Sequence, residues 1–247
     1  MIFIRSLLFL IFFYFWLVLC LVAALPVLWL PRKYLIIFPY MMSEGIRFLL
    51  AKTVGIRHEI RGLENLGSVP GILACKHQSV WETAIWPQFT PHLSIILKQE
   101  LRRVPVFGIL IQRLGFISVD RKDGPRAIVK MVTLAKQVIA EGRSIMIFPE
   151  GTRSQPGKPA SYQRGISALY DKLEVPVIPV ALNSGLFWGR KSFLKTPGLI
   201  IMEFLPPIQP GLSKDEFMEK LVDQIETATQ KLLKESQAQK SGVLKHA

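Results

Sequence analysis

From Ile56 onward, short runs rich in β-branched residues alternate with stretches whose apolar positions recur every three or four residues, the pattern of strands packed beneath helices. The runs predict strands at His58–Ile60, Gly71–Cys75, Ser94–Leu97, Gly115–Val119, Ser144–Phe148, Val175–Ala181 and Leu199–Phe204. Pro125, suited to a first helical turn, opens a helix to Glu141 that stops before Gly142 and lines Ile128, Met131, Val132, Ala135, Val138 and Ile139 along one face. Ser213 with Glu216 writes a capping box, and Phe217, Leu221, Ile225, Ala228 and Leu232 follow at helical spacing. A terminal helix over 213–235, fraying near Lys240, is therefore expected. Alternating elements of this kind imply an α/β fold, a mixed sheet flanked by helices.

Before Ile56 the pattern changes. Between Arg5 and Arg32 lie 26 residues without a charge, enough to cross roughly 30 Å of hydrocarbon as a helix. A cleaved signal peptide fits less well, because its apolar core runs to about 7 to 15 residues and Val22-Ala23-Ala24 makes a poor cleavage site. Pro26 and Pro31 end the run, and Arg32-Lys33 follow. The next stretch, Tyr34 to Val54, carries Pro39, Glu44, Arg47 and Lys52, which suits an interfacial helix better than a span. The expectation is an anchor over 1–55, one membrane-embedded helix or a two-helix hairpin, ahead of an α/β domain over 56–247. Basic residues flank both ends of the first run, so charge does not set its orientation.

Composition narrows the partners. Of 247 residues, 50% are hydrophobic and 20% charged, which excludes a disordered chain. Lys and Arg number 31 against 18 Asp and Glu, a net charge of +13. The first 59 residues hold six basic and two acidic side chains, so +9 of that excess belongs to the rest. Such a surface attracts anions: lipid headgroups, phosphorylated metabolites or acidic proteins. Nucleic acid is not expected, because interleaved aromatic and basic motifs are missing. Cys20 and Cys75 are too few for a disulfide framework and fit a reducing compartment.

In open α/β sheets the chemistry gathers at the carboxyl ends of strands. Here three such ends are polar: Lys76-His77-Gln78-Ser79-Val80-Trp81-Glu82, Asp120-Arg121, and Pro149-Glu150-Gly151-Thr152-Arg153-Ser154. His77 and Glu82 are five apart, about 140° around a continuous helix, so they meet only if His77 precedes the helix and Glu82 sits on its first turn. In that arrangement the carboxylate holds one imidazole nitrogen and leaves the other as a general base. The same letters, Ser79-x-x-Glu82, also make a capping box. Glu150 to Ser154 offers a guanidinium, two hydroxyls and a permissive glycine for phosphate, or an ordinary surface turn. A P-loop is excluded, because five residues separate Gly151 from Gly157-Lys158 and Pro159 stands where Ser or Thr is required. G-x-S-x-G, H-E-x-x-H and C-x-x-C are missing and the four histidines are scattered, so no metal is expected. Cys75 beside His77 reads as a small buried side chain more than a nucleophile.

Taken in order and spacing, these segments resemble the 1-acyl-sn-glycerol-3-phosphate acyltransferase (lysophosphatidic acid acyltransferase) family. Its His-x4-Asp motif corresponds to His77 to Glu82, its Gly-rich strand ending in an acidic residue and Arg to Gly115 to Arg121, its Phe-Pro-Glu-Gly-Thr-Arg-Ser block to Phe148 to Ser154, and its Val-Pro-Val-Ile-Pro-Val strand to Val175 to Val180. The likeness covers roughly Ile56 to Leu205. Glu82 stands where Asp is usual, and Ser118 where an aromatic is common. The resemblance implies that His77 takes the proton from the sn-2 hydroxyl of a lysophosphatidate as it attacks an acyl-CoA or acyl-acyl carrier protein thioester, with Glu82 fixing the imidazole. It implies a phosphate cradle of Glu150, Gly151, Thr152 and Arg153 with Arg121 and Lys98, in which Glu150 positions Arg153. No cofactor beyond the acyl donor is implied, and the setting is a bacterial-type inner membrane with the catalytic domain facing the cytoplasm. Glycerol 3-phosphate or another lysophospholipid as acceptor, or a non-catalytic phospholipid-binding protein, fits the same residues.

Overall fold

The computed structural model describes residues 1–90, 92–158 and 160–245, with side chains of the last helix through residue 239. Seven strands form one sheet: β1 (Ile56–Arg61), β2 (Ile72–Cys75), β3 (Ser94–Lys98), β4 (Ile117–Val119), β5 (Ile145–Ile147), β6 (Val177–Leu182) and β7 (Gly198–Phe204). Their order is β1-β7-β6-β2-β5-β3-β4. The five from β6 to β4 run parallel, whereas β7 is antiparallel to β6 and β1 parallel to β7. The sheet is therefore mixed, and the first strand pairs with the last.

Central strands are apolar throughout because both faces are covered. β2 and β6 are buried at every position. On one face Ile72, Ala74, Ile145, Ile147 and Val177 pack beneath α6 (Pro125–Ala140), α7 (Arg164–Leu173) and α8 (Lys214–Lys245). On the other, Leu73, Cys75, Met146, Ile178 and Val180 meet α1 (Ile2–Ala24), α3 (Ile37–Leu49) and α4 (Trp81–Ile85). Two short helices, α2 (Arg32–Leu35) and α5 (Phe107–Arg113), close the hairpin end of that layer through Leu35, Leu110 and Leu114.

The terminal helix runs beyond the expected 213–235 and through Lys240, since Gln-Ala-Gln-Lys are good helix formers with nothing to break the turn. Its start is the expected capping box. The Ser213 N–H donates to Glu216 Oε2 at 3.0 Å and the Glu216 N–H to Ser213 Oγ at 3.3 Å. Ser213→Ala is expected to cost about 1 kcal/mol, read as a lower denaturant midpoint of the purified protein. Phe217, Leu221, Ile225 and Leu232 are fully buried, so the helix stays docked through that small loss.

The apolar N-terminal segment folds as a hairpin against the domain. Ile2–Val27 and Arg32–Val54 are each long and apolar enough to cross a membrane. Both nonetheless lie along the domain. Phe9 meets Trp188 edge-on with centroids 5.2 Å apart, and Ala24 and Leu28 pack with Leu110 and Leu114 at the far end. The Arg5 Nε–H donates to the Thr53 carbonyl at 2.7 Å, joining the open ends of the hairpin. The outward stripe of Phe3, Leu7, Ile11, Phe15, Val18 and Val22 is exposed and wholly apolar.

Candidate active site

The ladder of β2 does not stop at Cys75, because the Lys76 N–H donates to the Val180 carbonyl at 2.9 Å. Pleat alternation therefore carries on into the loop. Lys76 takes the parity of Ile72 and Ala74, toward α8, and His77 that of Leu73 and Cys75, toward the hairpin layer. The His77 ring stacks on Phe148, the residue after β5, with centroids 4.0 Å apart and 22° between planes.

Helix α4 begins at Trp81, after His77 and before Glu82, the arrangement that five-residue spacing demands. Glu82 turns back over its first turn. Its Oε1 accepts the Gln78 and Ser79 N–H groups at 2.6 and 2.5 Å and stands 2.9 Å from His77 Nδ1. Loop capping and imidazole bracing are thus one structure rather than alternatives. On the second oxygen, Oε2, the Ser184 hydroxyl donates at 2.8 Å from the loop after β6. The Glu82 side chain is fully buried and that of His77 is 16% exposed, so the acid is desolvated while the ring reaches solvent. With Nδ1–H donated to the carboxylate, Nε2 keeps its lone pair, as a general base requires.

The block after β5 wraps the same histidine. The Ser154 N–H and hydroxyl both donate to the His77 carbonyl, at 2.7 and 3.2 Å. Gly151 has φ of 69°, and a Cβ there would lie 3.2 Å from Arg121 Nη1, so only glycine allows that guanidinium so near the backbone. Lys98 ends β3 opposite Val119, two residues before Arg121. Thr152 is exposed and Arg153 half-buried. Among the described residues, the side chains of Lys98, Arg121 and Arg153 form no ion pair.

Glu150 departs from expectation. It neither joins the cationic rim nor reaches Arg153; it is 4% exposed and pairs with Lys76 Nζ at 2.9 Å. The reason is Lys76, whose ammonium is buried and has to be matched by charge. Glu226 of α8 accepts from the same ammonium at 2.5 Å and from the Tyr162 hydroxyl at 2.9 Å. Burial pushes the Glu150 carboxyl above its usual range, with Lys76 opposing. Burial likewise holds the Cys75 thiol far above its ordinary value, reinforced by Glu82 and Glu150, which suits a packing residue and not a thiolate nucleophile. Among the described residues, no three His, Cys, Asp or Glu side chains gather as metal ligands.

Lys76, Phe148, Ser184 and Glu226 shape this site without having stood out as such in the sequence. A cation adjoining the all-apolar run of β2 was the one visible signal, since a strand buried on both faces offers Lys76 no route to water. Nothing local marks Ser184 or Glu226, whose partners lie 102 and 150 residues away.

An imidazole braced by a desolvated carboxylate at the carboxyl edge of a mixed α/β sheet is an arrangement that can serve general acid–base chemistry. The sequence model of the Acyltransferase family matches residues 57–183, just over half of the chain, and the chain belongs to that family. A 1-acyl-sn-glycerol-3-phosphate acyltransferase of Pseudomonas aeruginosa is 36% identical over 166 residues, 66% of this chain and 65% of that protein. The human 1-acyl-sn-glycerol-3-phosphate acyltransferase alpha is 30% identical over 166 residues, 66% of this chain and 59% of its own length. The chain thus spans somewhat less than two thirds of the length of these curated relatives. The crystal structure of the 1-acyl-sn-glycerophosphate (LPA) acyltransferase PlsC from Thermotoga maritima superposes with a TM-score of 0.75, covering 94% of this chain and 99% of that one. At 24% identity that likeness establishes the fold.

Proposed function

We propose that the protein transfers a fatty acyl group from an acyl-CoA or acyl-acyl carrier protein thioester to the sn-2 hydroxyl of 1-acyl-sn-glycerol 3-phosphate, giving phosphatidic acid. The observation that carries the reading is the 2.9 Å contact of His77 Nδ1 with buried Glu82, on a ring that stays partly exposed. Nε2 accepts the hydroxyl proton as the oxygen attacks the thioester carbon. The tetrahedral intermediate then collapses, the C–S bond breaks, and the imidazolium returns its proton to the departing thiolate. Glu82 stabilises that imidazolium by charge at the moment it forms. Arg121, Arg153 and Lys98, without an ion pair among the described residues, supply the positive field for the lysolipid phosphate, while Gly151 and Thr152 offer backbone and hydroxyl contacts.

The hairpin supports a membrane setting for this chemistry. The exposed stripe of α1 has no polar face to wet, and His77 projects from the same side of the sheet as the hairpin. A hairpin in the interfacial region, with residues 56–247 on the cytoplasmic side of an inner membrane, lets the base meet an alcohol at headgroup depth. The test is product analysis by mass spectrometry, with purified protein, mixed vesicles, acyl-CoA and acyl-acyl carrier protein as donors, and lysophosphatidate, glycerol 3-phosphate and other lysophospholipids as acceptors. Phosphatidic acid appearing with lysophosphatidate supports the reading. Acylation of another acceptor alone, or lipid binding without any product, sinks it.

A further inference from the structure

We infer that Ser184 is a positioning residue for this transfer, its hydroxyl holding the Glu82 carboxylate in the one rotation that keeps the His77 ring aimed at the acceptor alcohol. The inference rests on the His77–Glu82 reading above. Glutamate has three side-chain torsions, and its carboxylate plane has to be held at both oxygens if it is to fix a ring. Oε1 is held by two backbone N–H groups and takes the imidazole N–H. Oε2 has a single donor among the described residues, the Ser184 hydroxyl at 2.8 Å, and both residues are fully buried. Without that hydroxyl, one oxygen of a desolvated carboxylate stands unpaired, and rotation about the last torsion exchanges the two oxygens.

Ser184 is itself rigidly mounted. Its carbonyl accepts the Phe187 and Trp188 N–H groups at 3.1 and 2.9 Å, closing a tight turn. The preceding Asn183 donates to Ser236 Oγ of α8 at 2.8 Å and accepts the Ile201 N–H of β7 at 2.8 Å. The Gly185 N–H donates to Gln78 Oε1 at 3.1 Å, joining the two loops directly. Trp188 in turn rests edge-on against Phe9 and Phe13 of α1. The hydroxyl is thus a fixed point set by β6, β7, α8 and the hairpin together, against which the acid of the dyad is registered.

The test uses full-length Ser184→Ala and Ser184→Thr in vesicles, with kcat and KM measured separately. Ser184→Ala is expected to lower kcat about 10- to 100-fold through loss of orientation while KM for the lysolipid holds. Ser184→Thr, which keeps the hydroxyl, should recover most of kcat. In a double-mutant cycle, the Ser184→Ala loss should shrink in the Glu82→Asp background, since the shorter acid withdraws from the hydroxyl. Parental kcat in Ser184→Ala overturns the inference. So do strictly additive effects, or equal losses in both Ser184 variants that track a lower unfolding midpoint. Turnover surviving in His77→Ala overturns instead the reading of the site on which the inference rests.

Discussion

Replacing His77 by alanine should lower kcat roughly 10²- to 10⁴-fold, the contribution expected of a positioned general base. The lysolipid should still bind, because Lys98, Arg121 and Arg153 lie on other segments and keep their charges. The fold should tolerate the change. The ring is partly exposed and stacks on Phe148, while the loop itself is held by the Ser154 bonds to the His77 carbonyl, which alanine retains. The measurement is steady-state turnover beside equilibrium binding of lysophosphatidate to vesicle-bound protein. Binding preserved with turnover lost places His77 in the chemical step. Turnover preserved means that the proton is taken elsewhere.

The second large effect is on stability. Lys76→Met should destabilise the protein by about 3–5 kcal/mol, the cost of leaving buried charge without its partner. The Lys76 and Glu150 side chains are each 2% exposed, and Glu226 also leans on the same ammonium. The loss should depend on pH in a defined direction. Burial and Glu226 raise the Glu150 carboxyl while Lys76 and a Ser154 hydrogen bond oppose them, so removing the lysine leaves only Ser154 against the raising causes. A carboxyl whose folded value lies above its unfolded one favours the fold at acid pH, and that contribution fades as pH rises through the folded value. Lys76→Met should therefore be least harmed near pH 5 and increasingly harmed toward pH 8, read from urea midpoints at both. Adding Glu150→Gln and Glu226→Gln should recover much of the loss, because the set is then neutral. A variant whose deficit stays flat with pH would mean that packing of the lysine stem, and not its charge, is what α8 needs.

These two residues are neighbours in the chain and opposites in role, and pleat alternation is the cause. One strand end sends the ammonium into the α8 layer to join the sheet to its terminal helix, and the imidazole into the layer next to the hairpin. Glu150 and Ser154 share that division on the facing loop, the first serving the ion cluster and the second holding the His77 carbonyl.

All seven strands lie within two residues of where the apolar runs put them, and the helix opened by Pro125 ends one residue early, at Ala140. The capping box before α8 and the approach of Glu82 to His77 were legible for the same reason. Each depends on side chains within one or two turns of chain, where backbone geometry alone sets which positions meet. Strand order was not legible, because β1 finds its partner in β7 across nearly the whole domain. Nor was the burial of Glu150 against Lys76, or the hold of Ser184 on Glu82: a desolvated charge or carboxylate oxygen takes whichever donor the packed strands bring to it, and no local pattern encodes which that is. The sequence by itself determined the strands, the two longest helices of the domain, the apolar N-terminal segment and the residues at the strand ends. Only tertiary packing decided which of those residues face the opening and which are spent holding the others in place.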